Sequence, residues 1–307
     1  MLYKISHRTT YLYKYPVSVG DHVACLRPRS FPGNHLLHSE LHISPTPRVF
    51  SERVDYFGNT LSFFTVQESH EELVVEAKSQ IESTGRKPRS QRDSMPWEDS
   101  ARSLAEDRST DALEAYQYQF ESPRIRLRAD FADYARASFL PERPMREALL
   151  DLTARIHADF RFDSKVTTVS TTMEEVFNKR RGVCQDFAHV QIACLRSLNI
   201  AARYVSGYLR TYPPPGRPRL IGADASHAWV SAYSRELGWL DVDPTNNVAP
   251  TDGHVTLAWG RDYSDVSPLR GLILGGGGHT LQVAVDMEPV EATSEFAGHS
   301  IEEPVKQ

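Results

Sequence analysis

Arg181-Gly-Val-Cys-Gln-Asp-Phe-Ala-His-Val-Gln-Ile-Ala-Cys-Leu-Arg-Ser-Leu-Asn-Ile-Ala-Ala-Arg-Tyr-Val-Ser-Gly-Tyr208 decides how the chain is read. Gly182 interrupts whatever precedes it. Cys184 then stands at the start of a helix, with apolar Phe187, Ala188, Ile192, Leu195 and Leu198 at helical spacing. The helix ends near Asn199, and Ala202 to Tyr208 alternates as a strand. A thiol at a helix N-terminus feels the positive end of the macrodipole, which favours thiolate. Cys184 is therefore the candidate nucleophile. Such a group needs a base, and the base needs an orienting partner.

The nearest histidine does not serve. His189 is five positions on, roughly 140° around a helix that turns about 100° per residue, and reads as structural. Asp186 also faces away and suits the donors at the helix start. Cys194 lies ten positions on, roughly 15 Å along the axis, too far for a disulfide or a shared metal with Cys184. Between Ala193 and Leu195 it reads as a small buried hydrophobe.

A better base lies in Ala225-Ser-His-Ala-Trp-Val-Ser-Ala-Tyr233, where His227, Trp229, Ser231 and Tyr233 share one strand face. After the turn Ser234 to Gly238, Trp239, Asp241 and Asp243 share a face of the next strand. If Tyr233 opposes Leu237, then His227 opposes Asp243, within about 5.5 Å between Cβ atoms. A two-residue shift makes the pair diagonal, and a one-residue shift sends the two to opposite faces. Pro244 ends the strand, and Thr245 and Asn246 can tie the turn that holds Asp243. Asp241 is the rival orienter. Trp229 and Trp239 would desolvate the site, with Trp229 as a substrate contact and Gln185 as a weaker one. Cys, His and Asp can also ligate zinc. No Cys-x-x-Cys or His-x-x-x-His spacing supports that, so no metal or cofactor is expected. Arg203 and Arg210 could read an acidic substrate, with salt-bridged or solvated side chains the plainer expectation.

Composition sets the frame. A chain of 307 residues, 40% of them apolar, fits about two domains. Forty acids against 35 dispersed bases give a net charge of −5, which is no nucleic-acid footprint. No apolar run approaches the ~20 residues of a membrane span. The N-terminus lacks a signal-peptide core, and three cysteines make no disulfide scaffold, so a cytoplasmic protein is expected. Residues 1–83 alternate in short strands with turns at Phe31 to Asn34, Pro45 to Pro47 and Phe57 to Asn59, as in an antiparallel β-sandwich. Residues 84–122 read as a linker or long loop, 123–290 as the catalytic core, and 291–307 as a disordered tail. Within the core, Pro144 opens a helix, and Thr171 with Glu174 starts a short one over Met173 to Lys179. Pro213 to Pro218 reads as a stiff flap.

Gly182-Val-Cys-Gln-Asp-Phe-Ala-His189, Ala202-Arg-Tyr-Val-Ser-Gly-Tyr208, Ala225-Ser-His-Ala-Trp229 and Asp243-Pro-Thr-Asn246 together resemble the bacterial branch of the transglutaminase-like superfamily. Asp55-Tyr-Phe-Gly-Asn59 and Trp259-Gly-Arg-Asp-Tyr-Ser-Asp-Val266 resemble segments of the same proteins. The resemblance covers most of the chain. It implies an α+β fold: a β-domain, then a papain-like core whose helix carries the cysteine and packs on a sheet carrying His and Asp. It implies Cys184 as nucleophile, His227 as base and Asp243, rather than Asp241, as orienter. The implied activity is acyl transfer on a peptide or protein amide through a thioester. Hydrolysis of a peptide or isopeptide bond is favoured by the family. A protein-glutamine transglutaminase and an inactive binding module are the alternatives.

Overall fold

Strand β1 (Leu2–Ala24) runs for 23 residues and organises the N-terminal half. Pro16 has no N–H for a ladder, and the pairing of β1 is irregular on both sides of it, between Leu12 and Val17 and between Val17 and Val19. Such bulges bend a strand. The first part of β1 pairs with β5 (His70–Ser83) and β13 (His279–Val290), and the last part with β4 (Thr60–Val66) and β12 (Leu269–Gly275), all antiparallel. β2 (Asn34–Ser44) extends beyond β5, and β3 (Val49–Val54) beyond β4. The computed structural model describes residues 1–87, 94–163, 171–211 and 225–290. The expected flap at Pro213 to Pro218 and the expected tail lie outside these residues.

The seven strands form one sheet, curled so that its two parts share a core. Tyr3, Ile5 and Val75 from one part meet Ala24, Phe64 and Val66 from the other in a single buried cluster. The expected antiparallel β-sandwich takes the form of one large curled antiparallel sheet, with β1 as the strand common to its two parts. Two boundaries differ from the sequence reading. Residues 269–290, assigned to the core, complete the N-terminal sheet instead, because β1 would otherwise leave a long row of backbone groups unpaired. Residues 84–122 are not simply a linker. They carry α1 (Trp97–Glu106) and α2 (Thr110–Tyr116), whose buried Leu104, Ala112 and Ala115 pack with Tyr118 and Tyr233.

The core follows with α3 (Ala129–Arg136), α4 (Met145–Asp159), β6 (Arg161–Phe162), α5 (Met173–Lys179), β7 (Arg181–Gly182) and α6 (Cys184–Arg196). Thr172, one residue past the expected Thr171, caps α5 by accepting from the Glu175 N–H at 3.3 Å. Then come β8 (Ala202–Leu209), β9 (Ala225–Ser234), β10 (Gly238–Val242), β11 (His254–Gly260) and α7 (Tyr263–Val266). The sheet order is β10-β9-β8-β11. Helix α6 is buried on almost every side. Ala202, Ala228, Val230 and Ala232 form its seat on the sheet, and Leu149, Leu152 and Phe177 of α4 and α5 cover it. Small alanines let the helix approach closely, so its N-terminus is fixed relative to the strands.

The edge strand β11 is covered by two asparagines of the β-domain. Asn34 and Asn59 each present an amide to it as a strand would. Asn34 donates to Thr256 O (3.1 Å) and accepts from Thr256 N (3.2 Å). Asn59 donates to Trp259 O (2.8 Å) and accepts from Trp259 N (3.1 Å). Asp55 rigidifies this contact, since its carboxylate accepts from Phe57 N, Asn59 N and Asn59 Nδ2.

Gly207 of β8 has no room for a side chain. A Cβ there would press on the carbonyl of Val255 and on the ring of Trp229. Because one neighbour is backbone, Gly207→Ala should destabilise by about 1–3 kcal/mol, read as a lower urea midpoint at unchanged slope.

Candidate active site

The thiol is presented by the end of α6. The two-residue parallel pairing of β7 with β6 pins the chain just before the helix. Asp186 reaches back to accept the Val183 N–H at 2.8 Å, so it serves the helix start as expected. Cys184 is the first helical residue and is partly exposed, whereas Cys25 and Cys194 are buried. Burial pushes the Cys25 thiol up to about 12 and raises that of Cys194 further. His189 is confined to the interior, where its Nε2 accepts the Tyr263 N–H at 3.2 Å and burial keeps it neutral.

The candidate base, His227, comes from β9. The hairpin register is Trp239 opposite Tyr233 and Asp241 opposite Ser231. This is shifted two residues from the tightest sequence-based pairing. The reason is a three-residue loop, Arg235 to Leu237, closed by Gly238 at φ 72°. An even shift preserves the face. His227 Nε2 lies 2.7 Å from Asp243 Oδ2. With Nε2 occupied, Nδ1 is the nitrogen left to face the Cys184 thiol, which lies close enough to help raise the His227 pKa. Asp241, the rival orienter, is turned away toward Arg86 Nε at 3.4 Å.

Asp243 is fully buried, and five donors converge on it. Oδ1 accepts from Thr245 N (2.9 Å) and Asn246 N (3.2 Å). Oδ2 accepts from His227, from Asn246 Nδ2 (2.7 Å) and from His254 Nε2 (3.2 Å). His254 was not legible in the sequence as a participant. The N–H of Thr251 donates to its Nδ1 at 3.4 Å, which puts its proton on Nε2, facing the carboxylate. His227, Asp243 and His254 bring ligand-type atoms within 4.8 Å of one another. Metal ligation would need a bare Nε2 on His254, which this amide contact opposes. The cluster fits a hydrogen-bonded network better than a cation.

Burial alone would lower the His227 pKa. The hydrogen bond that His227 donates to Asp243, the charge of that carboxylate and the neighbouring Cys184 override it and push the value up to about 10. Burial would raise that of Asp243, but the bonds from His227, His254 and Asn246 hold it well below the usual carboxylate range. In the unfolded chain His227 titrates near ~6.5. Its stabilisation is therefore complete below that pH and is lost as pH rises toward about 10. Asp243 contributes above about pH 4 and is lost in acid. Urea unfolding should thus show stability falling as pH rises from about 8.5 toward about 10. His227→Gln should flatten that slope.

The substrate contacts divide. Trp229 is only 1% exposed. It lies against Gly207 and edge-on to His254 (5.5 Å between centroids), forming a wall behind His227 rather than a face open to substrate. Its neighbours on the sheet leave it no path to the surface, which the strand pattern could not reveal. Trp239 packs with Tyr118 and Tyr233, away from His227. Gln185 does line an open cavity of about 480 Å³ beside the helix start, with Arg124, Thr172, Glu174 and Asp186.

A β-domain docked on a core whose helix end meets an antiparallel sheet is the architecture of transglutaminase-like proteins. Residues 3–82 match the bacterial transglutaminase-like N-terminal region, and residues 132–244 match the transglutaminase-like superfamily. An uncharacterised protein of Mycobacterium tuberculosis is 38% identical over 297 residues, covering 94% of this chain and 93% of its own. A protein-glutamine gamma-glutamyltransferase of Pseudomonas aeruginosa is 41% identical over 76 residues, 24% of this chain and 11% of its own. A solved structure described as a candidate cysteine protease from Cytophaga hutchinsonii superposes with a TM-score of 0.72 at 21% identity. It covers 95% of this chain and 92% of its own, and supports the fold. The chain belongs to the bacterial branch of the transglutaminase-like superfamily.

Among the described residues, no helix is long and apolar enough to cross a membrane.

Proposed function

We propose that this protein is a cysteine-dependent acyl-transfer enzyme that hydrolyses a peptide or isopeptide bond. One observation carries the reading: a buried His227 bonded to the five-donor Asp243 and lying close enough to Cys184 for the thiol to help raise its pKa. The Cys184 sulfur attacks the amide carbonyl carbon, and the C–N bond breaks as the imidazolium of His227 gives its proton to the leaving amine. The acyl group remains as a thioester. Water then loses a proton to His227 and attacks the thioester, releasing the acid and restoring the thiol. Asp243 keeps the imidazole in one tautomer and stabilises its charged form. The Cys184 N–H, one of the unpaired donors at the helix end, faces the developing oxyanion.

The local identity to a gamma-glutamyltransferase favours a second reading, in which an amine resolves the thioester in place of water. Peptide, isopeptide and polyglutamyl amides, each assayed with and without a labelled primary amine, separate the readings. Amine release without label incorporation supports hydrolysis, and incorporation supports the transferase. No turnover together with no thioester in intact-mass spectra would leave a binding module and overturn the proposal.

A further inference from the structure

The five donors to Asp243 do not all hold it in the same way. Thr245 N, Asn246 N and Asn246 Nδ2 belong to the turn that follows Asp243, so they tie the carboxylate to its own turn. A fourth is His227, the group to be oriented. The fifth, His254 at 3.2 Å, is the first residue of β11 and ties the carboxylate to the far edge of the sheet. The His254 ring has little freedom. It is buried, stands edge-on to Trp229, and has its Nδ1 taken by the Thr251 N–H.

Strand β11 is in turn fixed by the β-domain. It pairs with β8 on one side and ends the sheet on the other, where its backbone groups would lack a strand partner. Three β-domain residues meet them: Asn34 at Thr256, the Arg29 N–H at Leu257 O (3.2 Å) and Asn59 at Trp259. Of these contacts, that of Asn34 falls nearest to His254, two residues along. Asn34 is buried and is itself tied down. Its Nδ2 also donates to Arg29 O (2.6 Å), and its backbone bonds reciprocally with Phe31. The turn before β11 is braced where the chain leaves β5. A Cβ at Gly85 would stand 2.9 Å from the carbonyl carbon of Thr251, the residue whose N–H fixes the His254 tautomer. The chain is thus gripped both before and after His254.

We infer, resting on the acyl-transfer reading of Cys184, His227 and Asp243, that His254 is a positioning residue through which Asn34 of the β-domain holds the Asp243 carboxylate against His227. An orienting group must be held to within about 0.5 Å, and the donors of its own turn do not fix it relative to the sheet. The test is the pH dependence of Cys184 alkylation by iodoacetamide in the full chain, with thermal midpoints as the control for folding. The readout is the pH at which the rate falls to half on the acid side. His254→Phe keeps a ring and removes the donor. It should move that pH up by at least about half a unit, because a poorly held carboxylate supports the imidazolium less well. His254→Gln places an amide donor near the Nε2 position and should restore the parental value. Asn34→Ala should shift the value in the same direction as His254→Phe. The double variant should match His254→Phe alone, since the two residues act in series. A merely structural role would lower the thermal midpoints and leave the half-rate pH in place. The positioning role is overturned if His254→Phe leaves that pH unmoved or lowers it, if His254→Gln shifts it equally, if Asn34→Ala gives no shift, or if the Asn34 and His254 shifts add. His254→Leu and Asn34→Ser take over should the first variants fail to fold. His227→Ala separates this role from the chemistry beneath it. If it leaves the parental alkylation rate unchanged, both fall. If it slows alkylation while His254→Phe moves nothing, the positioning role alone falls.

Discussion

Cys184→Ala is expected to abolish amide turnover, with kcat lowered by about 10⁴–10⁶, while the thermal midpoint stays close to that of the parent. The two halves of this expectation have separate causes. No other thiol can substitute, since Cys25 and Cys194 are buried and their pKa values raised by that burial. The fold does not depend on the sulfur, because Cys184 is partly exposed at the helix end and only flanks the core. Turnover of the amide substrate and a thermal melt check both halves. A variant that still turned over at a tenth of the parental rate would point to another nucleophile.

Asp243 should behave differently, because the proposed mechanism uses it and the fold ties five donors to it. Asp243→Ala removes the acceptor of five hydrogen bonds and strands a protonated His227 in a buried setting. Breaking such a pair from one side costs about 3–5 kcal/mol, a substantial share of a domain's stability. Asp243→Asn keeps the size. Its amide cannot serve as a charged acceptor for both His227 and His254, so His227 loses the support for its charged form. Activity should fall by roughly 10⁴, with a smaller loss of stability than for alanine. Paired urea titrations and rates on the two variants separate orientation from folding. Equal activity in Asp243→Asn and the parent would remove the orienting role.

Much of this site was legible in the sequence, and the reasons are physical. The thiol at a helix start follows from helical spacing after Gly182. The meeting of His227 and Asp243 follows from strand alternation, because any even register keeps them on one face. The actual register depended on the loop Arg235 to Leu237 and the left-handed Gly238, which periodicity does not encode. His254 was out of reach for a different reason. It begins β11, separated from β10 by two strands in the sheet, and meets Asp243 only because the chain turns after Val242. The helices α1 and α2 escaped because they are short and bury few side chains, Leu104, Ala112 and Ala115 among them. The C-terminal strands alternate visibly, but their partner is β1, at the opposite end of the chain. Trp229 looked like a substrate contact because alternation gives its face, not how deeply Gly207 and His254 enclose it.

The central claim is that Cys184 is a nucleophile activated by His227. Its most direct measurement is the alkylation rate of the native protein by iodoacetamide at pH 7, with each cysteine followed by peptide mass spectrometry. Cys184 should be modified before Cys25 and Cys194 and faster than a free thiol such as glutathione, and His227→Ala should slow it at least tenfold. A Cys184 that reacts no faster than glutathione, at a rate unchanged by His227→Ala, would contradict the account.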